Sequence, residues 1–390
     1  MKKGWEIKKL GEVCEINCGS TPLRGNKLFW ENGTFPWFTI EDIRDQGRII
    51  NYTKQKVTNL ALTKLKLFPE NTVLLCCTAS VGEYALTKIQ ITSNQQFNGL
   101  TVSNTKQLYP NFLFHFCSTL KEKLLNLSGK TTIDFVSQSK IKGIEIPIPT
   151  LSEQQRIVQI LDKAFENIDT LKANAERNLQ NVKELFQSAL TEELRPKKGW
   201  IVKKLGECCE FSQGIQRDVK LQSEIKKENQ VRFLRIIDFT QGDELPRFID
   251  NPGGKYILNE NDISIVRYGA STGFVCRGLQ GALANNLFRV IPKSINEVTN
   301  DFLFIYLTSP VFQNVVKESM NGAAMPAISF GLIKDIPVPI IPLKVQKTIV
   351  EHLDSLSVHC KGLEANYQKT IVQCEEMKKA VLGKAFRGEL

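Results

Sequence analysis

The sequence predicts a mixed α/β (α+β) chain built as an internal repeat, in which two similar globular segments are each followed by one long helix and the two helices pair along apolar seams. Three observations predict it. First, the central stretch Leu151–Ala189 lacks Pro and Gly and carries Leu161, Ile168, Ala175, Val182 and Ala189 at seven-residue steps. Ala164, Leu171 and Leu185 fill companion positions, Asn178 is a polar break, and Phe165, Leu179 and Phe186 widen one flank, which together make a heptad seam. Such a helix is roughly 60 Å long at 1.5 Å per residue and needs a partner. Second, a shift of 192 residues lays the C-terminal stretch onto it, carrying Leu161 onto Leu353, Ile168 onto Cys360, Ala175 onto Tyr367, Val182 onto Cys374 and Ala189 onto Val381. Leu356, Leu363 and Met377 complete that second seam with Leu353, Cys360, Tyr367, Cys374 and Val381. Third, KKGWEIKKLGEVCE (Lys2–Glu15) returns as KKGWIVKKLGECCE (Lys197–Glu210), and IKGIEIPIP (Ile141–Pro149) as IKDIPVPII (Ile333–Ile341). Heptads alone resemble one another; flanking motifs at nearly the same offset make a repeat.

In order, Trp5–Ile16 reads as a strand, Cys18–Gly25 as a turn-rich loop, Phe35–Ile43 as an alternating strand and Thr72–Cys77 as a short buried one. The small-residue loop Ala79–Gly82 precedes a strand pair near Tyr84–Ile91 and Gly99–Ser103, and Tyr109–Leu127 has helical period. After a loop over Gly129–Thr132, Val136–Lys142 reads as a short helix leading into the strand Ile144–Ile148. The second copy repeats the plan: Ile236–Asp238 answers Ile40–Asp42, ASTG (Ala270–Gly273) answers ASVG (Ala79–Gly82), and Phe302–Phe304 answers Phe112–Phe114. Leu287–Ile291 and Phe302–Val316 take the corresponding strand and helix places. Ser152, with Gln155 in S-x-x-Q spacing, is the expected cap of the first long helix, and Pro196 stops it. The second begins after Pro342 and ends near Gly383 or Gly388.

Of 390 residues, 42% are hydrophobic and 24% charged, as in a soluble globular protein. No stretch reaches the ~20 apolar residues of a membrane span, and MKKGWEIKK lacks a signal-peptide core; a cytoplasmic location is expected. Ten Cys without a CxxC read as reduced, mostly buried thiols. A net charge of +10 favours a polyanionic partner. Catalytic signatures are missing. Gly129-Lys130-Thr131 imitates the end of a P-loop, but Leu124 stands where its first Gly belongs. Asn251-Pro252-Gly253 is not the NPPY-type tetrapeptide of an amino-methyltransferase, the three His form no HExxH, and no metal site is expected. The chain reads as non-catalytic.

Two copies of W-x-x-K-x-L-G-E (Trp5–Glu12, Trp200–Glu207), an IPIP-type strand (Ile146–Pro149, Val338–Ile341) and an L-x-x-Q-x-x-IV helix start (Leu151–Val158, Leu343–Val350) resemble the specificity (S) subunit of Type I restriction–modification systems. The ending Ala380–Leu390 is similar too, and the resemblance spans the chain. It implies target recognition domains at 1–149 and 196–341, with long helices at 150–195 and 342–390 that pair antiparallel under a pseudo-twofold and set the spacing of a bipartite, asymmetric DNA target. It also implies double-stranded DNA, two modification (adenine methyltransferase) subunits and restriction subunits as partners. S-adenosylmethionine, ATP and magnesium would serve those partners, with no cofactor in this chain. An alternative from another class is a coiled-coil scaffold with protein-binding globular ends.

Basic, hydroxyl and amide side chains in loops are the candidate DNA contacts. In the first copy they are Ser20, Thr21, Arg24, Lys27, Thr78, Ser80, Asn94, Gln95, Gln96, Lys130 and Thr131. In the second they are Gln213, Gln216, Arg217, Arg267, Tyr268, Ser271, Asn285 and Asn286. Each is equally an ordinary turn or solvated loop residue by its type alone. Asn94–Gln96 and Asn285–Asn286 are equally readable as amides holding the fold together.

Overall fold

The computed structural model describes residues 4–128, 134–242, 244–320 and 327–390, so the loop expected over Gly129–Thr132 lies outside it. Two compact units emerge, Met1–Ala175 with Lys369–Leu390, and Glu176–Gln368.

In the first unit the strand Glu6–Lys9 pairs antiparallel with Glu145–Ile148, Glu6 opposite Ile148. The expected continuous strand over Trp5–Ile16 is interrupted by a one-turn helix, Leu10–Val13. Leu10 donates its N–H to the Ile144 carbonyl (2.8 Å), the Glu12 carboxylate accepts the Lys9 N–H (3.1 Å), and Leu10 and Val13 are buried. A five-stranded sheet then runs in the order Cys14–Cys18, Phe97–Val102, Val73–Cys76, Tyr84–Thr87, Ile49–Ile50. Tyr84–Thr87 and Phe97–Val102 are not partners of each other as expected; Val73–Cys76 lies between them and pairs with both. Its four residues are all buried, which is why it reads as an unbroken apolar run. A smaller sheet joins Gln55–Val57, Phe35–Phe38 and Thr92–Ser93.

The expected strand Phe35–Ile43 turns at Thr39 into the helix Ile40–Gln46. Asp42 is the cause: its buried carboxylate accepts the N–H groups of Thr39 (2.7 Å) and Lys54 (2.8 Å). Asp238 repeats the device, accepting from the Arg235 N–H (2.8 Å) and the Arg232 guanidinium (3.0 Å). The single helices expected over Tyr109–Leu127 and Phe302–Val316 are each two: Pro110–Cys117 with Lys121–Leu127, and Asn300–Thr308 with Pro310–Ser319.

The second unit repeats the plan. Ile201–Lys204 pairs with Pro337–Ile340, Ile201 opposite Ile340. One four-stranded sheet has the order Cys209–Gln213, Leu287–Pro292, Ile263–Val266, Val275–Cys276; the other has Arg247–Asp250, Gln230–Leu234, Gly281–Leu283, Ile257–Leu258.

The long helices span Leu151–Leu194 and Leu343–Arg387, each beginning in one unit and ending in the other. Within the first unit their segments run antiparallel: Arg156 donates to the Leu390 carbonyl (2.8 Å), Asp169 pairs with Lys378, and Lys172 with Glu375 (2.5 Å). Ile157, Val158 and Leu161 join Leu382 and Ala385 in the same core as the sheet. In the second unit Leu190 and Leu194 share a core with Ile349 and Leu353, and Glu193 faces His352 at 3.2 Å.

Leu161, Ile168, Ala175, Val182, Leu353, Cys360 and Cys374 are buried along the seam; Leu356, Tyr367 and Val381 are half-buried. The companions Leu171, Leu185, Leu363 and Met377 depart from the expectation and stand exposed. A residue three positions on is turned by about 60° round a 3.6-residue helix, so the narrow contact line leaves that second row outside.

The helix starts also differ from the expected cap. Thr150, not Ser152, accepts the Glu153 N–H (3.4 Å), and Gln155 is exposed. The neighbouring Gln154 is fully buried: its Oε1 accepts the Tyr109 N–H (2.8 Å) and its Nε2 donates to the carbonyls of Gln107 (2.8 Å) and Pro149 (2.9 Å). Gln346, its counterpart in the repeat, accepts from the Thr299 N–H (3.0 Å) and donates to Glu297 (2.6 Å) and Ile341 (2.9 Å). The Gln of each L-x-x-Q-x-x-IV motif thus ties the helix start to the globular part by bonds shielded from water.

Candidate nucleic-acid interface

The same three backbone segments meet in each unit. In the first, the chain leaving Cys14–Cys18 crosses the turn before Phe97–Val102: Gly19 donates to the Phe97 carbonyl (2.9 Å) and Ser20 to that of Ser93 (2.9 Å). In the second, Gly214 donates to Leu287 (3.2 Å) and Ile215 to Leu283 (2.7 Å). The crossing is too close for a side chain. A Cβ at Gly19 would lie 2.1 Å from Ser93 Oγ and 2.3 Å from the Asn94 carbonyl oxygen, and one at Gly214 would lie 2.1 Å from that of Ala284. The third segment follows the central strand: Cys77 donates to the Gln96 carbonyl (2.8 Å), and Arg267 to that of Asn286 (2.9 Å). The turn that follows has a left-handed residue in each copy, Ala79 (φ 63°) and Gly269 (φ 102°). The non-glycine case stores a small strain at the site.

On this frame the side chains differ. In the first unit Thr21 donates to Gln95 Oε1, and Asn94 bonds Gln96 through both its Nδ2 (3.0 Å) and its Oδ1, which accepts the Gln96 N–H (3.0 Å). The Ser20 carbonyl accepts the Trp37 indole N–H (3.2 Å), and the Leu23 carbonyl that of Trp30 (3.2 Å). Between these rings lies Arg24, its Cζ 4.1 Å from the Trp30 centroid and 4.5 Å from that of Trp37, with Nη1 donating to Gln55 Oε1 (2.7 Å). Ser80 donates its N–H to the Thr78 carbonyl (2.7 Å), so both belong to the third segment. Lys27 sits on the turn Lys27–Phe29 and pairs with Glu31 (3.2 Å), outside the bonded cluster. Lys130 and Thr131 lie outside the described residues.

In the second unit the Asn285 carbonyl accepts from the Tyr268 hydroxyl (3.3 Å) and Gln213 Nε2 (3.5 Å), and Asn285 Nδ2 donates to Gln216 Oε1 (3.4 Å). Asn286 Oδ1 is buried without a hydrogen-bond partner. The Arg267 guanidinium lies 5.8 Å from the Tyr268 ring and 5.4 Å from that of Phe330. Arg217 follows Gln216 on the first segment, its carbonyl accepting from Gln222 Nε2 (3.2 Å), and Ser271 sits in the turn of the third, accepting the Phe274 N–H (3.0 Å). Sequence reasoning missed Gly19, Gly214, Trp30, Trp37, Gln55 and Phe330. The two glycines were findable, since they fall at the offset of 195 that relates the opening motifs; the others are brought in by long-range packing.

These loops are equipped to bind, through amides, hydroxyls and guanidinium groups. All ten Cys are free and nine are buried; burial pushes the Cys14 and Cys77 thiols up to about 12, which keeps them protonated. Among the described residues no group of three or more His, Cys, Asp or Glu is placed to hold a metal ion, and no helix is long and apolar enough to cross a membrane.

Comparison with known proteins gives a consistent result. The profile described as the Type I restriction modification DNA specificity domain matches residues 2–180 and again 197–373. The Type I restriction enzyme MjaIX specificity subunit of Methanocaldococcus jannaschii is 27% identical over 417 aligned residues, covering 100% of this chain and 94% of that protein. Among solved structures, a chain described under complex assembly and conformational transition of the type I R-M system aligns with a TM-score of 0.83 at 22% identity, over 100% of this chain and 99% of that one. The HsdS subunit from Thermoanaerobacter tengcongensis aligns with a TM-score of 0.66 at 22% identity, over 100% and 98%. At these identities the structural likeness shows the fold.

Proposed function

Because this chain belongs to the family of Type I restriction–modification DNA specificity domains, matched over both of its repeats, we propose that it is the sequence-recognising subunit of such a complex, each globular part reading one half of a bipartite, asymmetric target in double-stranded DNA. The observation that carries the reading is the twice-built cluster. One backbone frame, closed by Gly19 in one copy and Gly214 in the other, displays Thr21, Arg24 and Asn94–Gln96 in the first and Gln213, Gln216, Tyr268, Arg267 and Asn285 in the second. A constant frame with different donors and acceptors suits two different half-sites. The net charge of +10 suits the phosphate backbone.

The chain acts without catalysis of its own, inside the cell. Two modification subunits bound to it methylate adenine, and restriction subunits join them; S-adenosylmethionine, ATP and magnesium belong to those partners. Methylation sequencing of DNA from cells expressing this chain with its modification subunit tests this, against the modification subunit alone. A split motif with methyladenine in both halves, present only with this chain, is the expected result. Its absence where the complex assembles contradicts the reading.

A further inference from the structure

Arg24 is held differently from the other cations of the two clusters. Its guanidinium lies 4.1 and 4.5 Å from the centroids of two indole rings that are themselves edge-on, 5.0 Å apart at 90°. Both indoles are fixed by N–H bonds to the loop that carries Arg24, at the carbonyls of Ser20 and Leu23. A third group on the guanidinium, Gln55 Oε1, accepts one N–H at 2.7 Å. Among the described residues no carboxylate pairs with Arg24, so its charge is uncompensated, and the residue is exposed. Exposed apolar side chains flank it on the loop, Leu23 and Leu28 at 72% and 69%, and the one cation between them, Lys27, is paired with Glu31.

Resting on the DNA-reading role above, we propose that Arg24 is a specificity-determining residue that selects guanine at one position of the half-site read by the first unit. A phosphate presents acceptor oxygens on several sides, so a guanidinium fork can meet it from many approach planes and gains little from having its own plane fixed beforehand. The guanine edge offers two acceptors, N7 and O6, in one plane, and a guanidinium meets both when its own plane is fixed beforehand. Contact with two mutually perpendicular indole rings, together with the bond to Gln55, restrains the guanidinium, so part of the rotamer freedom lost on binding is already spent. Exposed apolar groups on either side suit a base edge, where thymine methyls and ring atoms lie, better than the sugar–phosphate backbone.

The corresponding loop of the second unit also ends in exposed apolar groups, Val219 and Leu221 at 74% and 61%, but Arg217 there has no ring beneath it among the described contacts. The fixed fork is a property of the first half, and guanine selection by this loop belongs to that half alone.

The test uses the chain assembled with its modification subunit. R24A and R24K are read by methylation sequencing, with the melting midpoint of each complex as a folding control. Both are expected to relax one guanine in one half-site by roughly 10- to 100-fold and leave the other half-site unchanged. R24K keeps the charge and not the fork, so a motif unchanged in R24K overturns the proposal in favour of a phosphate contact. Should either variant melt early, the wild-type complex is titrated with duplexes carrying 7-deazaguanine, which lacks N7, at each guanine of the target. One position in a single half-site should lose about tenfold in affinity; no loss at any position, or a first half-site without guanine on either strand, overturns the proposal. A wild-type complex that methylates no split motif fails the role proposed above, a different outcome from a split motif indifferent to Arg24.

Discussion

The two units pack the same corner differently. In the first, His115 on the helix Pro110–Cys117 bonds Asp162 on the long helix (2.7 Å) and meets the Phe165 ring (5.6 Å between centroids). The repeat places Ile305, Asp354 and Ser357 at those positions in the second. There, Phe186, Leu190, Phe304, Ile305, Leu353 and Ser357 line an open groove of about 310 Å³. Yet a few residues away each unit keeps its buried glutamine, Gln154 or Gln346, with bonds to equivalent backbone groups. The exchanged corner tolerates change because its rings pack by non-directional dispersion and the one bond there goes to the exposed Asp162, whose counterpart Asp354 can turn to water. A buried amide with several fixed bonds has no such substitute. Divergence between the copies is therefore permitted in filling and in exposed loops, and barred at joints.

The sharpest way to break this comparison is at the joint. Gln154→Leu strands the Tyr109 N–H and the Gln107 and Pro149 carbonyls, and should cost about 3 kcal/mol or more in chemical denaturation. Gln346→Leu should cost a similar amount in its own unit, and a clear inequality would mean that the joints are not equivalent. Next, Gly19→Ala drives a Cβ into Ser93 and Asn94 and should cost about 2 kcal/mol, with loss of recognition confined to one half-site in the methylation pattern. Gly214→Ala should damage the other half-site.

How much of this was legible in the sequence follows from the range of each contact. The repeat and the helices were legible because their signals are local and periodic. The glutamine motif was legible as a pattern, but its role was not, since a polar residue at a helix start looks solvated until its partners at Gln107 and Tyr109 are placed. Thr39 and Asp42 carried a local capping signal that ends the strand early, and the alternation of Phe35–Ile43 masked it. Meetings such as Ser20 with Ser93, or Arg24 with Gln55, join residues far apart in the chain, and no local pattern announces them.

Smaller effects sharpen the contrast between corners. Ser357→Phe copies the first unit's filling into the groove and should stabilise the second unit by about 1 kcal/mol; a loss of stability would mean that the groove cannot accept the ring. The smallest effect is one of pH. Burial holds His115 below its ordinary value and outweighs the opposing pull of Asp162, its charged neighbour on the long helix. The unfolded chain thus takes up the proton first, so the stabilisation is whole above about pH 6.5 and lost as pH falls toward the lower folded-state value. His115→Ile, the residue of the other copy, should flatten the stability profile between pH 7.5 and 5.5 measured by denaturant titration. An unchanged slope would place the pH dependence elsewhere.

A shared frame that carries two independent readers should let one reader be exchanged for the other. This is tested most directly by replacing residues 196–341 with a second copy of residues 1–149, keeping both long helices, and sequencing the methylation that the chain directs with its modification subunit. A symmetric split motif, built from the first half-site and its inverted copy, is the predicted result. Retention of the original asymmetric motif would contradict it.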